Sequence, residues 1–441
     1  MPVSEPGNGV RISASDLRVM VNKHKSFLRG QQGGVRANLK LCDLSHMDLS
    51  GLDLSEADFS GAKLYGARLC GTVLAGANLY AADLRLANLE FANLTRADLR
   101  GACLRGATLT NAQMVESDLR DGAIMHVRAN GDLSAHEFET LSVRAEMSVA
   151  SARRADLSWA RVSDAFMMQA DLTDAILRGT KFIRANLTNS NLTGCDMRDA
   201  DLREANLSGA ILAGANFSGA ELNLARFTNA MMIGAILDEA TRRSANLSDA
   251  VLPRRPTQCG LDLAEMLRLH AIWVESAGKV GSRADLSGLD LEGEDLSGAD
   301  LSAALLRGAC LLGANLARTS LTMSDLSLAD LRGANLTGAD LRGATLERAT
   351  LARAVLRDAD LGPVHIQGGG GPESGRLWGS NLTRAKLEEA DLTRAILRHA
   401  KLCAAQLSGA DFSGVDARGA DMTDAVRTNI RTTDALGFDA L

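Results

Sequence analysis

Residues 82–101 read ADLRLANLEFANLTRADLRG, which is the same five-residue phrase written four times. The phrase has a small residue, then Asp or Asn, then Leu, and then two variable residues. Leu or a residue of similar size recurs on this spacing from Leu39 to Leu119, and the small residue stands two positions before it. A period that recurs this strictly decides the architecture, because each repeat must form the same unit of structure.

A period of five fits neither regular element. On an α-helix, five residues advance by about 500°, so successive Leu residues would spiral round the cylinder. On a strand, an odd period sends alternate Leu side chains to opposite faces. Only a backbone that bends once per repeat keeps every Leu on one side, and Gly residues such as Gly51, Gly61 and Gly106 occupy the expected corners. We therefore predict an all-β solenoid, with Leu and the small residue inside and coils stacked about 4.8 Å apart.

The phrase A-(D/N)-L-x-x resembles the signature of the pentapeptide repeat proteins. This resemblance implies a right-handed, quadrilateral parallel β-helix with four pentapeptides in each coil. The number four comes from the resemblance, since the period alone does not give it.

The register of the repeat shows how the chain is organised. The first pentapeptide β-helix is predicted over 36–252, with an irregular insertion near 125–150 where the first phase fades and a new phase begins near Leu157. This stretch is either a bulged coil or a short helical insertion, and we favour an insertion after which the same solenoid continues. A second pentapeptide β-helix is predicted over 283–427.

A capping helix is predicted before each β-helix. Residues 1–35 form an N-terminal tail and a helix with Ser15 as N-cap, and residues 253–282 form a linker and a second helix. His24 of the first helix corresponds to His270 of the second, and Phe27 corresponds to Trp273. An open coil exposes unpaired backbone groups, so solenoids require caps. We interpret the chain as two tandem units, each with an N-terminal capping α-helix.

Two segments interrupt or end the second β-helix. A Gly-rich loop is expected near 362–381, where four consecutive Gly residues at 368–371 predict a flexible, exposed connection. Residues 428–441 form a polar C-terminal tail, which we expect to be frayed or to act as a weak cap.

Composition excludes several classes of protein. The chain has 48 basic and 54 acidic residues among 441, a net charge of −6, which excludes a strongly basic nucleic-acid binder. No apolar run approaches the roughly 18 residues of a membrane span, and the N-terminus does not resemble a signal peptide. Seven Cys residues without a CxxC pair indicate reduced thiols and a cytoplasmic location.

The residues that could carry chemistry favour structural roles. Asp and Asn alternate in the same slot, as at Asp83 and Asn88, which indicates a short hydrogen-bonding side chain at a turn rather than a charge. The His residues form no close-spaced metal pattern, and His24 and His270 are expected to share a packing or hydrogen-bonding role. We therefore predict no catalytic, cofactor-binding or metal-binding residues, no cofactor, and no enzyme activity.

Two hypotheses about function follow. The first is a non-enzymatic scaffold for protein–protein interaction with an unknown protein partner, using the outer faces, the 125–150 insertion and the 362–381 loop. The alternative, implied by the resemblance, is a mimic of duplex DNA that binds a type II topoisomerase (DNA gyrase) and protects or inhibits it. DNA carries one negative charge per about 1.7 Å, so mimicry would require that the Arg residues lie apart from the Asp residues. Neither hypothesis involves direct nucleic-acid or membrane binding, and both allow a homo-oligomer.

Overall fold

The five-residue repeat forms a parallel β-helix. The computed structural model describes residues 11–123, 125–127, 133–135, 142–143, 145–366 and 376–438. Parallel bridges join the Asp/Asn slots of successive coils, as in Asn38 to Asp58 and Asp58 to Asn78. Partners are therefore 20 residues apart, as they are for Asn315 and Asp295. Twenty residues are four pentapeptides, so each coil holds four repeats.

Each repeat bends at the second residue after its Leu. This residue has a positive φ throughout the β-helix, for example 59° at Leu41, 67° at Gly51 and 62° at Glu56. Gly takes this left-handed conformation without strain, whereas other residues accept a cost of about 1–2 kcal/mol. The bend therefore belongs to the repeat itself, and Gly makes it easier without being required for it.

The side chains that the period places inside are buried. Leu54, Ala57 and Phe59 have no exposed surface, and the other Leu and Ala positions of the repeat behave in the same way. The small residue and the Leu are two positions apart on an extended segment, so both point to the axis. The predicted inward positions are thus confirmed for residues 39–119.

The chain divides into two compact units. The first holds Met1–Met231 and Ile236–Ala250, and the second holds Met232–Ala235 and Val251–Leu441. In the first unit, helix α1 spans Ala14–Leu28 and buries Leu17, Val21 and His24. Its N-cap is Ser13, whose side chain accepts the N–H of Asp16, so the expectation of Ser15 was wrong by two residues. Ser13 has the extended backbone of a cap, whereas Ser15 already lies in the first turn.

The interruption in the first unit is a true insertion. Four short strands, β1 (Gly122–Ala123), β2 (Met125–Val127), β3 (Leu133–Ala135) and β4 (Ser142–Val143), pair as β1 with β4 and β2 with β3, both antiparallel. A parallel bridge from Cys103 to Glu146 then resumes the ladder. The solenoid continues as predicted, but residues 145–150 belong to the next coil, and the described part of the insertion is extended rather than helical.

A short helix, α2 (Glu239–Ser244), replaces the repeat near the end of this unit. It lies where the Leu position of the repeat is occupied by Arg242. The side chain of Asp238 caps it by accepting the N–H of Thr241. Leu247 and Leu252, expected to continue the axis of the solenoid, are only half-buried, and Leu252 belongs to the second unit.

The second unit repeats this order of elements. A 3₁₀ turn at Pro256–Cys259 precedes helix α3 (Leu263–Glu275), whose N-cap Asp262 accepts N–H groups of the first turn. Leu263, Met266 and Leu267 pack against the buried cluster of the second β-helix. Among the helices in the described residues, none has both the length and the apolar character needed to cross a membrane.

The later part of this unit departs from prediction in two places. Strands β5 (Val364–Ile366) and β6 (Arg376–Trp378) form an antiparallel pair, so the base of the expected 362–381 loop is a hairpin. The four Gly residues at 368–371 lie outside the described residues. The expected frayed tail is also wrong from 428 to 436, because a bridge from Asp416 to Leu436 extends the ladder to that point.

Candidate functional site

The Asp/Asn slot serves the turn of its own repeat. The Oδ1 atom of Asp48 accepts the N–H of Ser50 at 3.0 Å, and Oδ1 of Asn88 accepts the N–H of Glu90 at 3.0 Å. Either residue type supplies this oxygen, which is why Asp and Asn alternate. The structural interpretation of this slot, a short side chain that accepts a hydrogen bond at a turn, is confirmed.

Where Arg follows two residues after Asp, the two side chains pair on the same face. The Nε and Nη2 atoms of Arg100 donate to the two oxygens of Asp98 at 2.9 and 2.7 Å. The hydrogen bond from Arg203 likewise holds the pKa of Asp201 below its ordinary value. The same pairing recurs in both units, at Asp83–Arg85, Asp118–Arg120, Asp196–Arg198, Asp330–Arg332, Asp340–Arg342 and Asp416–Arg418. Positive and negative charges therefore share the same faces.

The two predicted histidines hold the capping helices on their coils. The Nδ1 atom of His24 accepts the N–H of Ala37 at 3.1 Å, and Nδ1 of His270 accepts the N–H of Ala284 at 3.1 Å. Each ring is buried and stacked on an aromatic neighbour, with ring centroids 5.8 Å apart for His24 and Phe27 and 5.6 Å apart for His270 and Trp273. The expected shared role is confirmed as packing together with one hydrogen bond.

An arginine repeats the same correspondence at the start of each β-helix. Nε of Arg36 donates to the carbonyl oxygen of Glu56, and Nε of Arg283 donates to that of Ala303. Each guanidinium thus reaches the corner that ends the first coil, 20 residues along the chain. Together with the histidine, it ties the entry of the chain to that coil.

One face of the first unit has no charged side chain over three consecutive coils. Bridges from Phe166 to Asn186 and from Asn186 to Asn206 put these coils in register. We call this surface the neutral face, and it consists of Phe166, Met168, Gln169, Asn186, Thr188, Asn189, Asn206, Ser208 and Gly209. Its residues come from three repeats that are 20 residues apart in the sequence. The sequence did not predict this face, because it does not show which repeats lie beside one another on adjacent coils.

An open groove runs along one edge of the neutral face. Asp164 and Arg184 form a two-bond ion pair on its side, at 2.7 and 2.8 Å, and Leu224 is 79% exposed. Asp121, which directly precedes β1, also lines the groove, so it lies at the foot of the insertion. Its lining residues are Asp121, Asp164, Phe166, Arg184, Ala185, Asn186, Glu204, Asn206, Leu224 and Arg226.

The second predicted contact region has a tightly packed base. A Cβ atom placed on Gly343 would lie 2.7 Å from Sδ of Met323 and 2.9 Å from Cγ2 of Val364. Trp378, on the opposite strand of the hairpin, approaches the same point and is 44% exposed. Gly343 therefore makes room for the hairpin on the coil, and the described ends of this segment form an exposed apolar patch.

Three potential metal ligands meet on the second unit. Donor atoms of Asp290, Glu292 and Cys310 lie within 4.8 Å of one another, although Cys310 is a full coil away from Asp290. Burial raises the pKa of the Cys310 thiol to about 11. Metals bind the thiolate form of Cys. The raised pKa keeps Cys310 protonated at neutral pH, so its surroundings disfavour metal binding. The three side chains point outward and lie close together because Asp290 and Cys310 are on adjacent coils, which the five-residue period alone does not show.

Comparison with solved structures finds distant similarities. HetL from the cyanobacterium Nostoc sp. strain PCC 7120, a pentapeptide repeat protein involved in heterocyst differentiation regulation, is 22% identical over 95% of this chain and 96% of its own, with a TM-score of 0.15. Full-length QnrB1, a plasmid-mediated fluoroquinolone resistance protein, is 19% identical over 54% of this chain and 89% of its own, with a TM-score of 0.26. Rfr23 from Cyanothece 51142 is 22% identical over 31% and 88%, with a TM-score of 0.17.

No curated protein matches the sequence at a significant level. The family model described as Pentapeptide repeats (8 copies) matches residues 37–76, 73–111, 82–121, 153–189, 181–219, 210–249, 284–322, 324–362, 376–405 and 385–424. These segments cover more than half of the chain, and they coincide with the ladder of coils described above. The chain therefore belongs to the pentapeptide repeat family.

Proposed function

We propose that this protein is a non-enzymatic, cytoplasmic scaffold that binds a protein partner on its outer surface. In this proposal the chain forms two right-handed quadrilateral β-helices in tandem, over 36–252 and 283–427 with the second extended to Leu436. A capping helix precedes each. The 20-residue bridge spacing and the matched contacts of His24 and His270 support this arrangement.

The neutral face is the observation that carries the proposal. Cores of protein interfaces are depleted of charged residues, whereas their rims are polar. The neutral face offers the apolar side chains of Phe166 and Met168, and the groove beside it supplies a charged rim with Glu204 and Arg226. Its backbone is held by bridges to both neighbouring coils, so binding would require little reordering of the scaffold. The insertion, whose foot lies at Asp121, would extend the same surface.

The alternative of DNA mimicry is less well supported. A mimic needs a face on which negative charge is not cancelled, since duplex DNA carries a charge per about 1.7 Å. Here Asp98, Asp201 and Asp340 each hold an Arg from the same face. The net charge of −6 is correspondingly small. A DNA supercoiling assay with purified gyrase tests this alternative. If micromolar protein neither protects nor inhibits gyrase, DNA mimicry is rejected.

Charge placed on the neutral face tests the scaffold proposal. Thr188 and Ser208 follow an Asn by two residues, and many repeats carry Arg in this slot, so Thr188→Arg with Ser208→Arg should leave the coil intact. Thr337→Arg with Thr383→Arg places the same charges in the same slot of the second unit. Tagged proteins would be used to capture partners from the native cell, with bound proteins quantified by mass spectrometry.

We expect the first pair of substitutions to reduce capture of a specific partner by about tenfold or more, because an unpaired charge must be desolvated in the interface. The control pair should capture that partner as the unaltered chain does. Equal capture by both double variants would contradict the assignment of the neutral face. The proteins captured by the unaltered chain and by the two double variants would also show whether gyrase is a partner.

A further inference from the structure

Each capping helix is joined to its first coil by a histidine held in one protonation state. Nδ1 of His24 and Nδ1 of His270 both accept a backbone N–H, from Ala37 and Ala284 respectively. A ring nitrogen that accepts a hydrogen bond carries no proton, so each ring is neutral with its proton on Nε2. Both rings have no exposed surface, and neither Nε2 makes a hydrogen bond of ordinary geometry, although the backbone of Ser55 faces the first ring and that of Ser302 faces the second.

The surroundings of His24 favour the neutral ring. Burial is the largest influence and lowers its pKa below 6.5. Asp53, Glu56 and the backbone of Ser55, all on the first coil, act in the opposite direction, while Arg36 adds to the lowering. The carboxylates are close enough to attract a proton but do not bond the ring, so burial prevails.

The surroundings of His270 repeat this balance in the second unit. Burial again lowers the pKa most, Asp300 and the backbone of Ser302 raise it, and Arg283 lowers it. The two sites therefore agree in their hydrogen bond, burial and stacking and in one acidic and one basic neighbour, although the rings stack on different aromatic residues and Glu56 has no charged counterpart in the second unit. The same arrangement therefore occurs at the entry of both β-helices.

We propose that the two capping helices are acid-released latches, in which each histidine takes up a proton only when its helix leaves the first coil. A proton on Nδ1 would face the N–H of Ala37 or Ala284, and two donors cannot bond each other. A charged ring would also remain buried, and burial of a charge without a bonded partner of opposite sign is costly. Release would expose backbone groups at the edge of the coil, and such an edge pairs readily with another strand.

The sign of the pH effect follows from proton binding. The free histidine has a pKa of 6.5, and the docked histidine has a lower one. The released state therefore binds more protons at acid pH, and stability of the docked helix rises with pH across this range. The latch holds fully above a pH of about 6.5 and weakens as the pH falls through the pKa of the docked ring.

Trp273 provides a direct reporter of the second latch. The chain has three Trp residues, so replacing Trp159 and Trp378 with Phe leaves Trp273, which is stacked on His270, as the single tryptophan, and excitation at about 295 nm avoids the Tyr residues. Hydrogen exchange of peptides from α1 and α3 reports both latches in the full-length protein. Both measurements would be made from about pH 7.5 to about pH 4.5, with exchange corrected for the intrinsic rate at each pH.

A double variant separates titration from packing. In His24→Asn with His270→Asn, the Asn Oδ1 atom can accept the same N–H but cannot titrate. His399→Asn removes an exposed histidine and serves as the control. We expect the parent chain and the control to release both helices below pH 6.5, with exchange in α1 and α3 faster by about tenfold or more. The double variant should show no such transition.

Three results would overturn the latch. The first is the same acid transition in the double variant, and the second is a parent chain whose helices stay docked down to about pH 4.5. If the double variant does not fold, the His ring signals of the parent chain decide the matter by NMR. The third contradicting result would be that His24 and His270 titrate with the ordinary pKa of about 6.5 while both helices remain protected from exchange.

Discussion

Cys103 and Glu146 are bridge partners on adjacent coils although 43 residues separate them along the chain. Ordinary neighbours in this ladder are 20 residues apart, as are Arg96 and Glu116. The difference is taken up by the segment from Gly122 onward, whose outer strands β1 and β4 lie side by side. Because the segment leaves and re-enters the coil at one corner, the ladder continues without a change of register.

Removing this segment should therefore leave the β-helix intact. Deletion of residues 122–144 joins Asp121 to Ala145, which restores the order of small residue, acidic residue and Met in the repeat. We expect the circular dichroism spectrum to be retained and the melting temperature to change by only a few degrees, since the axial residues on either side, Leu119 and Met147, are kept. Deletion of 122–141 is the control, because it leaves three extra residues at the corner and should lower the melting temperature further. Unfolding of the 122–144 deletion would contradict the continuous ladder.

Replacement of an axial Leu should be far more damaging than replacement of an outward Arg. Leu326 has no exposed surface, so Leu326→Asp buries an unpaired charge and should cost several kcal/mol, roughly 3–5. Arg342 is exposed and paired with Asp340 on its own face, so Arg342→Gln should change the free energy of unfolding by about 0.5 kcal/mol or less. Urea denaturation measures both. Similar costs for the two variants would be inconsistent with the inward and outward positions.

Replacement of Ala by Gly should stabilise the fold at a corner position and destabilise it at an axial position. Ala404 has a φ of 56°, a conformation that costs a residue with a Cβ about 1–2 kcal/mol, so Ala404→Gly should raise the free energy of unfolding by about 1 kcal/mol. Ala400 is the small axial residue of the same repeat and is buried, so Ala400→Gly should lower the free energy of unfolding by about 1 kcal/mol or more. Chemical denaturation of both variants checks the opposite signs, and a loss of stability in both would refute the corner assignment.

Acid should weaken the pairing at Asp416. The hydrogen bond from Arg418 is the main cause of the lowered pKa of this carboxyl, and Arg398 contributes a second. A carboxyl with a lowered pKa in the fold adds stability above its unfolded value of about 3.8, and that stability is lost as the pH falls through its folded pKa. We expect melting temperature to fall less steeply below about pH 4 in Asp416→Asn than in the parent chain. The control, Asp421→Asn, alters a carboxyl whose largest partner is Thr423 instead of an Arg.

Much of the architecture follows from spacing within one repeat. The inward position of Leu54 and Ala57, the turn role of Asp48, and the matched positions of His24 and His270 depend on neighbours a few residues away. Such neighbours are visible in the sequence, because the direction of a side chain on an extended segment depends only on its place in the phrase. The N-cap at Ser13 instead of Ser15 shows the limit of this reasoning. Both residues are Ser, and only the backbone conformation shows which of them precedes the first turn of the helix.

The end of the β-helix could not be found in this way. Residues 428–436 continue the ladder, but the axial positions there hold Arg427 and Thr432, so the apolar period that identifies a coil is missing. Backbone pairing with the preceding coil maintains these repeats without a Leu. Only the structure shows this, because hydrogen bonds between coils leave no mark on the sequence of a single repeat.

What the amino-acid sequence determined by itself is therefore the bend at every fifth residue, the filled axis and the two capping helices. The tertiary structure decided which repeats lie beside one another, and with that the neutral face of Phe166, Asn186 and Asn206 and the meeting of Asp290 with Cys310. The physical reason is that a surface on a solenoid is made from residues one coil apart. Their proximity depends on how many repeats close a coil and on where an insertion leaves it, and both are properties of the folded chain.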